Sequence, residues 1–261
     1  MRVGITLSPT GDWSAILQAA QLADRSGLDA VGFWDHYHSE RPEWAYVCGW
    51  SAYGALALAT ERIHLLPMVI CRLNYTTGVL AKETSVLSII SGGRFELGIG
   101  AGDYPPEYTA WHQPFPDATT RIQALEETIT ALRLIWQGDL VTYTGQHVQL
   151  TNAACGPIPP APPRVVVGVG SSRRLIQSAV AYADELNIYS DAELLTYTRE
   201  TIARSGRAVA LSMFLHWDRW PDDLHHELGQ WAALGIDRVL VNIGYDADLV
   251  QRVGELAAWP A

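Results

Sequence analysis

The chain has 261 residues, 48% of them hydrophobic and 18% charged, which excludes a disordered or fibrous protein and allows a large core. It contains 18 basic and 28 acidic residues, so its net charge is −10. Such an acidic chain is not expected to bind nucleic acid, because phosphate contacts need clustered Lys and Arg. The three cysteines are odd in number and lack metal-ligand spacing, which argues against a disulfide framework.

No segment of the sequence has the length and apolar character of a membrane span. The most apolar run, Ile63–Cys71, is short and contains His64. No basic leader with a small-residue cleavage site precedes the first strand-like run, Val3–Leu7. We therefore expect a soluble, cytoplasmic protein that does not associate with membranes.

Short β-rich runs alternate with longer amphipathic stretches eight times along the chain. The strand predictions rest on β-branched runs bounded by Gly or Asp, and the helix predictions rest on apolar residues every three to four positions. The predicted pairs are Val3–Leu7 with Trp13–Arg25, Ala30–Trp34 with Trp50–Thr60, Ile63–Ile70 with Gly78–Ile90, Phe95–Ile99 with Thr120–Gln137, Val165–Val169 with Ser172–Ala183, Glu185–Tyr189 with Ala192–Ser205, Ala208–Leu215 with Asp222–Leu234, and Arg238–Ile243 with Ala247–Ala258.

The fourth predicted helix has the clearest helical period. Ile122, Leu125 and Ile129 recur at three to four residues and form one apolar face. Asp117 lies just before this helix and Asp246 just before the eighth, where each is placed to cap the first turn.

Eight strand–helix units in a chain of this length predict one closed (β/α)₈ TIM barrel over residues 1–261. The alternative is a doubly wound open sheet, but the turn Ser8–Asp12 lacks the glycine spacing of a dinucleotide-binding fold. Leu140–Pro163 interrupts the alternation between the fourth and fifth strands. It predicts a small β-hairpin followed by the Pro-rich connector Pro157–Pro163, which we interpret as an insertion within the domain.

The active site of such a barrel lies at the C-terminal ends of the strands. His36 follows the second predicted strand beside Asp35, and a carboxylate can orient a histidine or raise its pKa for proton transfer near neutral pH. The alternative is a histidine with a purely structural role. His36 and His38 also form an HxH pattern, but the later strand ends supply no His-rich partner set, so the sequence does not favour a metal site.

Two glycine-rich segments follow predicted strands. Gly98, Gly100 and Gly102 would let a flat ligand approach the backbone, because no Cβ intervenes. The turn Gly168–Ser172 opens a predicted helix, whose free N–H groups attract phosphate, and Arg173–Arg174 would add positive charge. Both patterns also occur at plain strand exits and in ordinary capped turns.

Several sequence blocks are specific in combination. The most distinctive runs from Ser91-Gly92-Gly93-Arg94 to Gly98-x-Gly100-x-Gly102. The others, in chain order, are Ala23–Val31, Trp34–His36, Ala59–Ile63 and Tyr182–Asp184. In these blocks the chain resembles the bacterial luciferase-like flavin and deazaflavin oxidoreductases along nearly its whole length. The resemblance implies a barrel that binds a tricyclic cofactor at its mouth, coenzyme F420 in many members with a His after strand two and FMN in others.

The resemblance also implies roles for individual residues. His36 would lie beside the reactive ring carbon and Asp35 would contact the ring, while Asp103 matches a proton donor of some relatives. A bulge after strand three backs the ring, often with a non-prolyl cis peptide, which is expected here at Pro67–Met68 or one residue later. The implied catalytic residues are thus His36 and Asp103. The implied cofactor-binding residues are Asp35, Pro67, Met68, Ile70, Ala101, Gly102, Gly168, Val169, Gly170 and Ser171.

The leading hypothesis is an F420-dependent oxidoreductase that passes a hydride to or from a small organic substrate. The alternatives are an FMN-dependent monooxygenase and a flavin-binding protein without turnover. Glu40 stands where the sugar-phosphate dehydrogenases of this family carry Trp, so a sugar phosphate is not carried over as the substrate. Relatives commonly form homodimers through helices of the first half of the barrel, and we expect the same here.

Overall fold

The computed structural model describes residues 1–7, 12–38, 40, 47, 49–216, 223–243, 253 and 256. The strands are β1 (Arg2–Thr6), β2 (Ala30–Gly32), β3 (His64–Leu65), β4 (Ile70–Cys71), β5 (Leu97–Gly100), β6 (Val141–Thr144), β7 (Gln149–Ala153), β8 (Val165–Gly170), β9 (Glu185–Tyr189), β10 (Ala210–Leu215) and β11 (Arg238–Asn242). The helices are α1 (Trp13–Arg25), α2 (Trp50–Ala59), α3 (Thr77–Ile90), α4 (Pro105–Ala110), α5 (Ala118–Ile135), α6 (Arg173–Ala179), α7 (Ala192–Ser205) and α8 (Leu224–Ala233).

Nine parallel strand segments of the described chain form one curled sheet, in the order β3-β2-β1-β11-β10-β9-β8-β5-β4. The two edge segments, β3 and β4, are the halves of the third predicted strand. The Leu65 N–H donates to the Arg94 carbonyl at 3.0 Å, and the Glu96 N–H donates to the Leu65 carbonyl at 3.0 Å. These bonds pair β3 with the residues just before β5, the strand next to β4, so the sheet closes on itself and the predicted closed barrel is confirmed.

The third strand is broken because its middle residues turn into the barrel. A Cβ on Gly32 of β2 would lie 1.7 Å from the Leu66 carbonyl oxygen, and a Cβ on Gly98 of β5 would lie 1.7 Å from that of Pro67. Only glycine leaves room for so close a backbone approach. The prediction of one continuous strand over Ile63–Ile70 is therefore corrected to two short strands around a bulge.

The bulge has a specific geometry. The Met68–Val69 peptide is cis, at the second of the two expected positions. The Val69 side chain covers two further glycines, since a Cβ on Gly100 or on Gly168 would lie 2.8 Å or 2.6 Å from its methyl groups. Gly98 and Gly100 of β5, which were expected to leave space for a ligand, thus also leave space for the bulge.

Most predicted helices form with their apolar faces against the sheet. In α5, Ile122, Leu125 and Ile129 are buried, and Asp117 accepts hydrogen bonds from the first-turn amides as a cap. The short helix α4 was not predicted. Asp246 lies outside the described residues, as does the eighth predicted helix apart from Val253 and Leu256, which are buried.

An ion-pair network closes the N-terminal end of the barrel. Arg238 is completely buried and binds Glu96 through both terminal nitrogens, at 3.0 Å and 2.9 Å. Its Nε lies 2.9 Å from Asp29 and 3.8 Å from Glu185. The open, ligand-accessible end of the barrel is therefore the C-terminal end, where sequence reasoning had placed the site.

The predicted insertion forms the hairpin of β6 and β7. Glu127 of α5 accepts hydrogen bonds from the backbone N–H groups of Gln146, His147 and Val148, at 2.9, 2.7 and 2.8 Å, and so fastens the hairpin turn to the barrel. Among the described residues, no helix is long and apolar enough to cross a membrane.

Candidate active site

A cleft of about 660 Å³ opens at the C-terminal ends of the barrel strands. Residues from the ends of β2, β4, β5, β8, β9 and β10 line it, together with the first turns of α5. They include Trp34, Asp35, His36, Met68, Val69, Ala101, Gly102, Asp103, Tyr104, Arg121, Gly168, Val169, Gly170, Ser171, Tyr189, Phe214 and His216. The cleft thus brings together ten of the twelve site residues that the sequence predicts.

The other two predicted residues, Pro67 and Ile70, do not line the cleft. Pro67 directs its carbonyl oxygen at Gly98 inside the barrel. Ile70 is 3% exposed and pairs with Ile99 in the core. The bulge faces the cleft through Met68 and Val69 instead, which form an apolar wall.

The strongest partner of His36 is Glu107, a residue that the sequence reasoning did not select. Nδ1 of His36 lies 3.3 Å from Oε2 of Glu107, and Oε1 accepts hydrogen bonds from the backbone N–H groups of Tyr37 and His38. Glu107 is 3% exposed on α4. One carboxylate therefore holds both the imidazole and the loop that carries it.

These contacts raise the pKa of His36 above its ordinary value. Burial alone would lower this pKa, but the hydrogen bond that Glu107 accepts from His36 and the negative charges of Glu107, Asp103 and Asp35 outweigh it. For Glu107 the two effects are reversed. Burial alone would raise its pKa, but its hydrogen bonds with His36 and with the loop amides outweigh burial and lower this pKa. The pair is arranged for a protonated imidazole beside a carboxylate.

Asp35 does not hydrogen-bond to His36, although its place next to His36 in the sequence suggested that it orients the imidazole. It accepts hydrogen bonds from the Tyr75 hydroxyl at 2.9 Å and from the Cys71 N–H at 3.3 Å. It therefore ties the loop after β2 to the end of β4 and acts on His36 only through its charge. Burial raises the pKa of Asp35 to about 6, although these hydrogen bonds oppose the shift.

Cys71 lies in the cleft wall, where its surroundings favour the neutral thiol over the thiolate. Burial raises the pKa of its thiol to about 11, and Sγ lies 2.8 Å from the Tyr108 hydroxyl. A thiol that stays protonated at neutral pH reacts slowly. The contact of Cys71 with Tyr108 thus joins the end of β4 to α4.

The turn Gly168–Ser172 lines the cleft, but its arginines do not. The Ser172 hydroxyl caps α6 by accepting from the Leu175 N–H at 3.2 Å. Arg173 pairs with Glu193 of α7, and Arg174 donates to the Thr119 hydroxyl at 2.6 Å. Neither arginine lines the cleft, and the expected contribution of their charge to the turn stays a prediction.

Two functional candidates escaped the sequence reasoning, Glu107 and Arg121. Pro105-Pro106-Glu107 carries a helix-start signal, Pro at the first position and an acidic residue in the first turn, which would have revealed α4.

Within the described chain, no three His, Cys, Asp or Glu side chains converge to hold a metal ion, so the HxH pattern gains no support.

The fold is a (β/α)₈ barrel with a cleft at the C-terminal ends of its strands, and comparison with known proteins identifies the family. The model of the luciferase-like monooxygenase family matches residues 1–257, so the chain belongs to that family. The chain is 24% identical over 240 residues to an F420-dependent glucose-6-phosphate dehydrogenase of Nocardia farcinica, covering 85% of this chain and 70% of that protein. A protein of the same name from Amycolatopsis mediterranei is 28% identical over 157 residues, which span 47% of its length.

Solved structures share the fold. An F420-dependent secondary alcohol dehydrogenase, in complex with an F420–acetone adduct, superposes with a TM-score of 0.85 at 17% identity, covering 99% of this chain and 98% of that one. The F420-dependent tetrahydromethanopterin reductase of Methanopyrus kandleri gives 0.83 at 15% identity, covering 99% and 97%. A monooxygenase from Streptomyces bottropensis gives 0.80 at 17%, covering 99% and 98%. At these identities the likeness establishes the fold alone.

Proposed function

We propose that the protein is a coenzyme F420-dependent oxidoreductase that transfers a hydride between the deazaflavin and a small organic substrate. The observation that carries this proposal is the His36–Glu107 pair, whose imidazole lines the same cleft at the barrel mouth as the apolar Met68–Val69 wall. The names of the Nocardia and Amycolatopsis relatives support the choice of cofactor.

The cleft fits a planar cofactor with a tail. Its volume lies within the range of about 300–1,000 Å³ that is usual for ligand pockets. The Met68–Val69 bulge supplies a flat apolar wall, and the absence of a Cβ at Gly100 and Gly168 lets this wall sit deep in the barrel. Gly168–Ser171 would hold the tail, with Ala101 and Gly102 along the ring.

The chain's own residues would handle the proton. The cofactor supplies a ring carbon that accepts or releases a hydride when it is bound. His36 exchanges the proton of the substrate oxygen, and Glu107 holds Nδ1 and stabilises the imidazolium. Asp103 places a second acid group near the ring, and the aromatic side chains Trp34, Tyr104 and Phe214 reduce access of water.

Titration of the apoprotein with F420 and with FMN, followed by fluorescence, tests the proposal. Binding of F420 and turnover of an alcohol or a carbonyl compound are expected. Binding of FMN alone, with oxygen consumption in the presence of reduced flavin, would instead establish the monooxygenase reading.

The His36→Ala variant tests the catalytic assignment. It is expected to bind F420 and to lose about 10²- to 10⁴-fold in kcat, the usual contribution of a general acid or base. His226→Ala, on the exposed outer face of α8, is the matched control and should keep full activity. Unchanged rates for His36→Ala with every substrate would favour a cofactor-binding protein without turnover.

We also propose a homodimer that forms through α2 and α3. Leu58 of α2 is 81% exposed, and the neighbouring helix α3 exposes the apolar side chains of Val79, Ile89 and Ile90. Leu58→Glu should convert a dimer into a monomer in light scattering, whereas Leu140→Glu, at a residue 69% exposed near the hairpin, should not. A monomeric wild type would refute the dimer.

Residues 1–261 are proposed to act as one domain, because β1 and β11 pair along five residues and join the two ends of the described chain. We place the protein in the cytoplasm, since Cys71 and Cys155 are free thiols.

A further inference from the structure

A chain of hydrogen bonds joins the cleft to the outer surface of the protein. The Tyr37 hydroxyl donates to the Tyr75 hydroxyl, and the Tyr75 hydroxyl donates to Oδ1 of Asp35 at 2.9 Å. Asp35 lines the cleft and is 5% exposed, whereas Tyr37 is 45% exposed. Three side chains thus connect a buried carboxyl group with a residue that water can reach.

The fold holds these three side chains in place. Oδ2 of Asp35 accepts a hydrogen bond from the Cys71 N–H at 3.3 Å, which leaves Oδ1 for Tyr75. The centre of the Tyr75 ring lies 5.5 Å from that of Trp50 and 6.3 Å from that of Tyr37, and both contacts are edge-to-face. Packing therefore positions the two tyrosine rings in addition to the bond between their hydroxyl groups.

The carboxyl group and the hydroxyl group next to it differ in how readily they lose a proton. Burial and the charge of Glu107 raise the pKa of Asp35 to about 6 against its hydrogen bonds, so this carboxyl gains and loses a proton near neutral pH. Burial and the charge of Asp35 raise the pKa of the Tyr75 hydroxyl, so Tyr75 stays neutral. The other titratable groups that interact with the charge of Asp35 include His36, Cys71 and Tyr108.

We propose that Tyr37, Tyr75 and Asp35 form a path that moves protons between solvent and the cleft. A tyrosine hydroxyl can donate and accept at once, so each tyrosine passes one proton on as it receives another. On the inward route, Tyr75 gives its proton to Oδ1 of Asp35, Tyr37 gives its own to Tyr75, and a hydronium ion restores that of Tyr37. The reverse order releases a proton from Asp35 to solvent, and neither direction leaves a charge on a tyrosine.

The use of this path in catalysis rests on the proposed function. Hydride transfer from an alcohol to the deazaflavin releases one proton per turnover, and the reverse reaction takes one up. A cofactor that fills the cleft reduces the exchange of this proton with water through the cleft mouth. Tyr37 and Tyr75 lie outside the lining of the cleft, so the path stays open while the cleft is occupied.

The rate at which Asp35 gains a proton tests the path. A photoacid releases protons into a solution of the apoprotein at pH 7, and time-resolved infrared spectroscopy follows the carboxyl C=O band, which is assigned by its loss in Asp35→Asn. Tyr37→Phe keeps the ring and should slow protonation by about 10-fold or more, while the pKa of Asp35 stays as in wild type. Tyr75→Phe should slow it as much and, because a hydrogen bond to Asp35 is lost, should also raise that pKa.

Tyr197→Phe is the matched control. It removes a hydroxyl that accepts a hydrogen bond from Gln177, between α6 and α7, and Asp35 should gain its proton as fast as in wild type. Equal rates in wild type and Tyr37→Phe would mean that protons reach Asp35 by another route, and the proposal would be wrong. Slower protonation in Tyr75→Phe alone would place the entry at Tyr75 and overturn the path through Tyr37, as would an equal loss in the control.

The same measurement with F420 or FMN bound separates the path from the proposed function. A bound cofactor should leave the wild-type rate unchanged, and a cofactor that slows it to the rate of Tyr37→Phe would mean that protons enter through the cleft, against the proposal. If neither cofactor binds, the proposed function fails and the apoprotein rates still decide the path. If F420 binds and Tyr37→Phe is as fast as wild type, only the path fails.

Discussion

His36 depends on a partner 71 positions away in the chain, and this separation explains why its chemistry differs from that of its sequence neighbours. Asp35 is adjacent in sequence but is turned toward Tyr75 and Cys71, since successive residues of an extended segment point in opposite directions. Glu107 reaches His36 because the fold brings α4 within hydrogen-bond distance of the residues that follow β2. At the scale of single residues, the site is a histidine whose protonation one distant carboxylate controls.

Glu107→Gln tests this control. Loss of the carboxylate charge should lower the pKa of His36, since the hydrogen bond and charge of Glu107 are the largest effects that raise it. NMR titration of the His36 ring nitrogens measures the shift, and the pH profile of kcat should move to lower pH. Glu200→Gln, at an exposed site on α7, is the control. An unchanged His36 titration would contradict the assignment.

Asp35 leads to a prediction about stability and pH. Its pKa is raised to about 6 in the fold from 3.8, so between these values the folded state binds a proton that the unfolded state lacks. Stability from this group is present at low pH and is lost as pH rises toward 6, at about 1.4 kcal/mol per pH unit. Urea unfolding of wild type and Asp35→Asn should be measured across pH 4–7. As pH rises, the free energy of unfolding of the variant should increase relative to that of wild type. A constant difference would refute the shifted pKa.

At the scale of elements, the bulge between β3 and β4 decides the shape of the cleft. It turns inward because β2, β5 and β8 each present a glycine where another residue would present a side chain. Two of these glycines touch backbone oxygens, which cannot move aside as a side chain can. The bulge between β3 and β4 and the glycines of β2, β5 and β8 therefore form one structural unit.

Gly98→Ala should destabilise the protein by about 3 kcal/mol or more, because the new Cβ would overlap the Pro67 carbonyl and force the bulge out of place. Gly54→Ala is the matched control. Gly54 lies inside α2 with open space around it, so alanine should stabilise the protein by about 0.5–1 kcal/mol. Denaturant midpoints measure both variants, and similar values for the two would contradict this account of the bulge.

At the scale of the whole molecule, charged side chains form buried ion pairs at the N-terminal end of the barrel and line the cleft at the C-terminal end. At the N-terminal end, the buried guanidinium of Arg238 lies within ion-pair distance of Glu96, Asp29 and Glu185. At the C-terminal end His36 and Arg121 remain open to the cleft. A barrel whose core is completed at one end can leave the other end hollow for a ligand.

Arg238→Met should cost about 3–5 kcal/mol at pH 7, because it leaves buried carboxylates without a cation. Against the effect of burial, bonds from His64 and Arg238 lower the pKa of Glu96 to about 2 from 4.5. The stability from Glu96 is therefore present above pH 4.5 and is lost as pH falls toward 2. In urea unfolding, the free energy of unfolding should fall less between pH 4.5 and pH 2 for Arg238→Met than for wild type. The exposed Arg199→Met is the control, and equal stability of the two variants would contradict the network's role.

The barrel, the order of its strands and helices, and the hairpin insertion were predictable from the sequence. The bounds of α1, β9 and α7 agree with the prediction at every residue. These features follow from apolar period and turn residues, which act between neighbours in the chain. The position of the site at the strand ends followed from the fold class, and the cleft contains the predicted His36 and Ser171 together.

Only the tertiary structure decided which groups act on one another. It paired His36 with Glu107, turned Arg173 and Arg174 away from the cleft and left Arg121 in it, and placed two carbonyl oxygens against Gly32 and Gly98. Each of these contacts joins residues of different elements, and its strength depends on distance and burial in the folded barrel. A local sequence pattern contains neither quantity, so it could predict the end of the barrel that holds the site but not the contacts that set its charges.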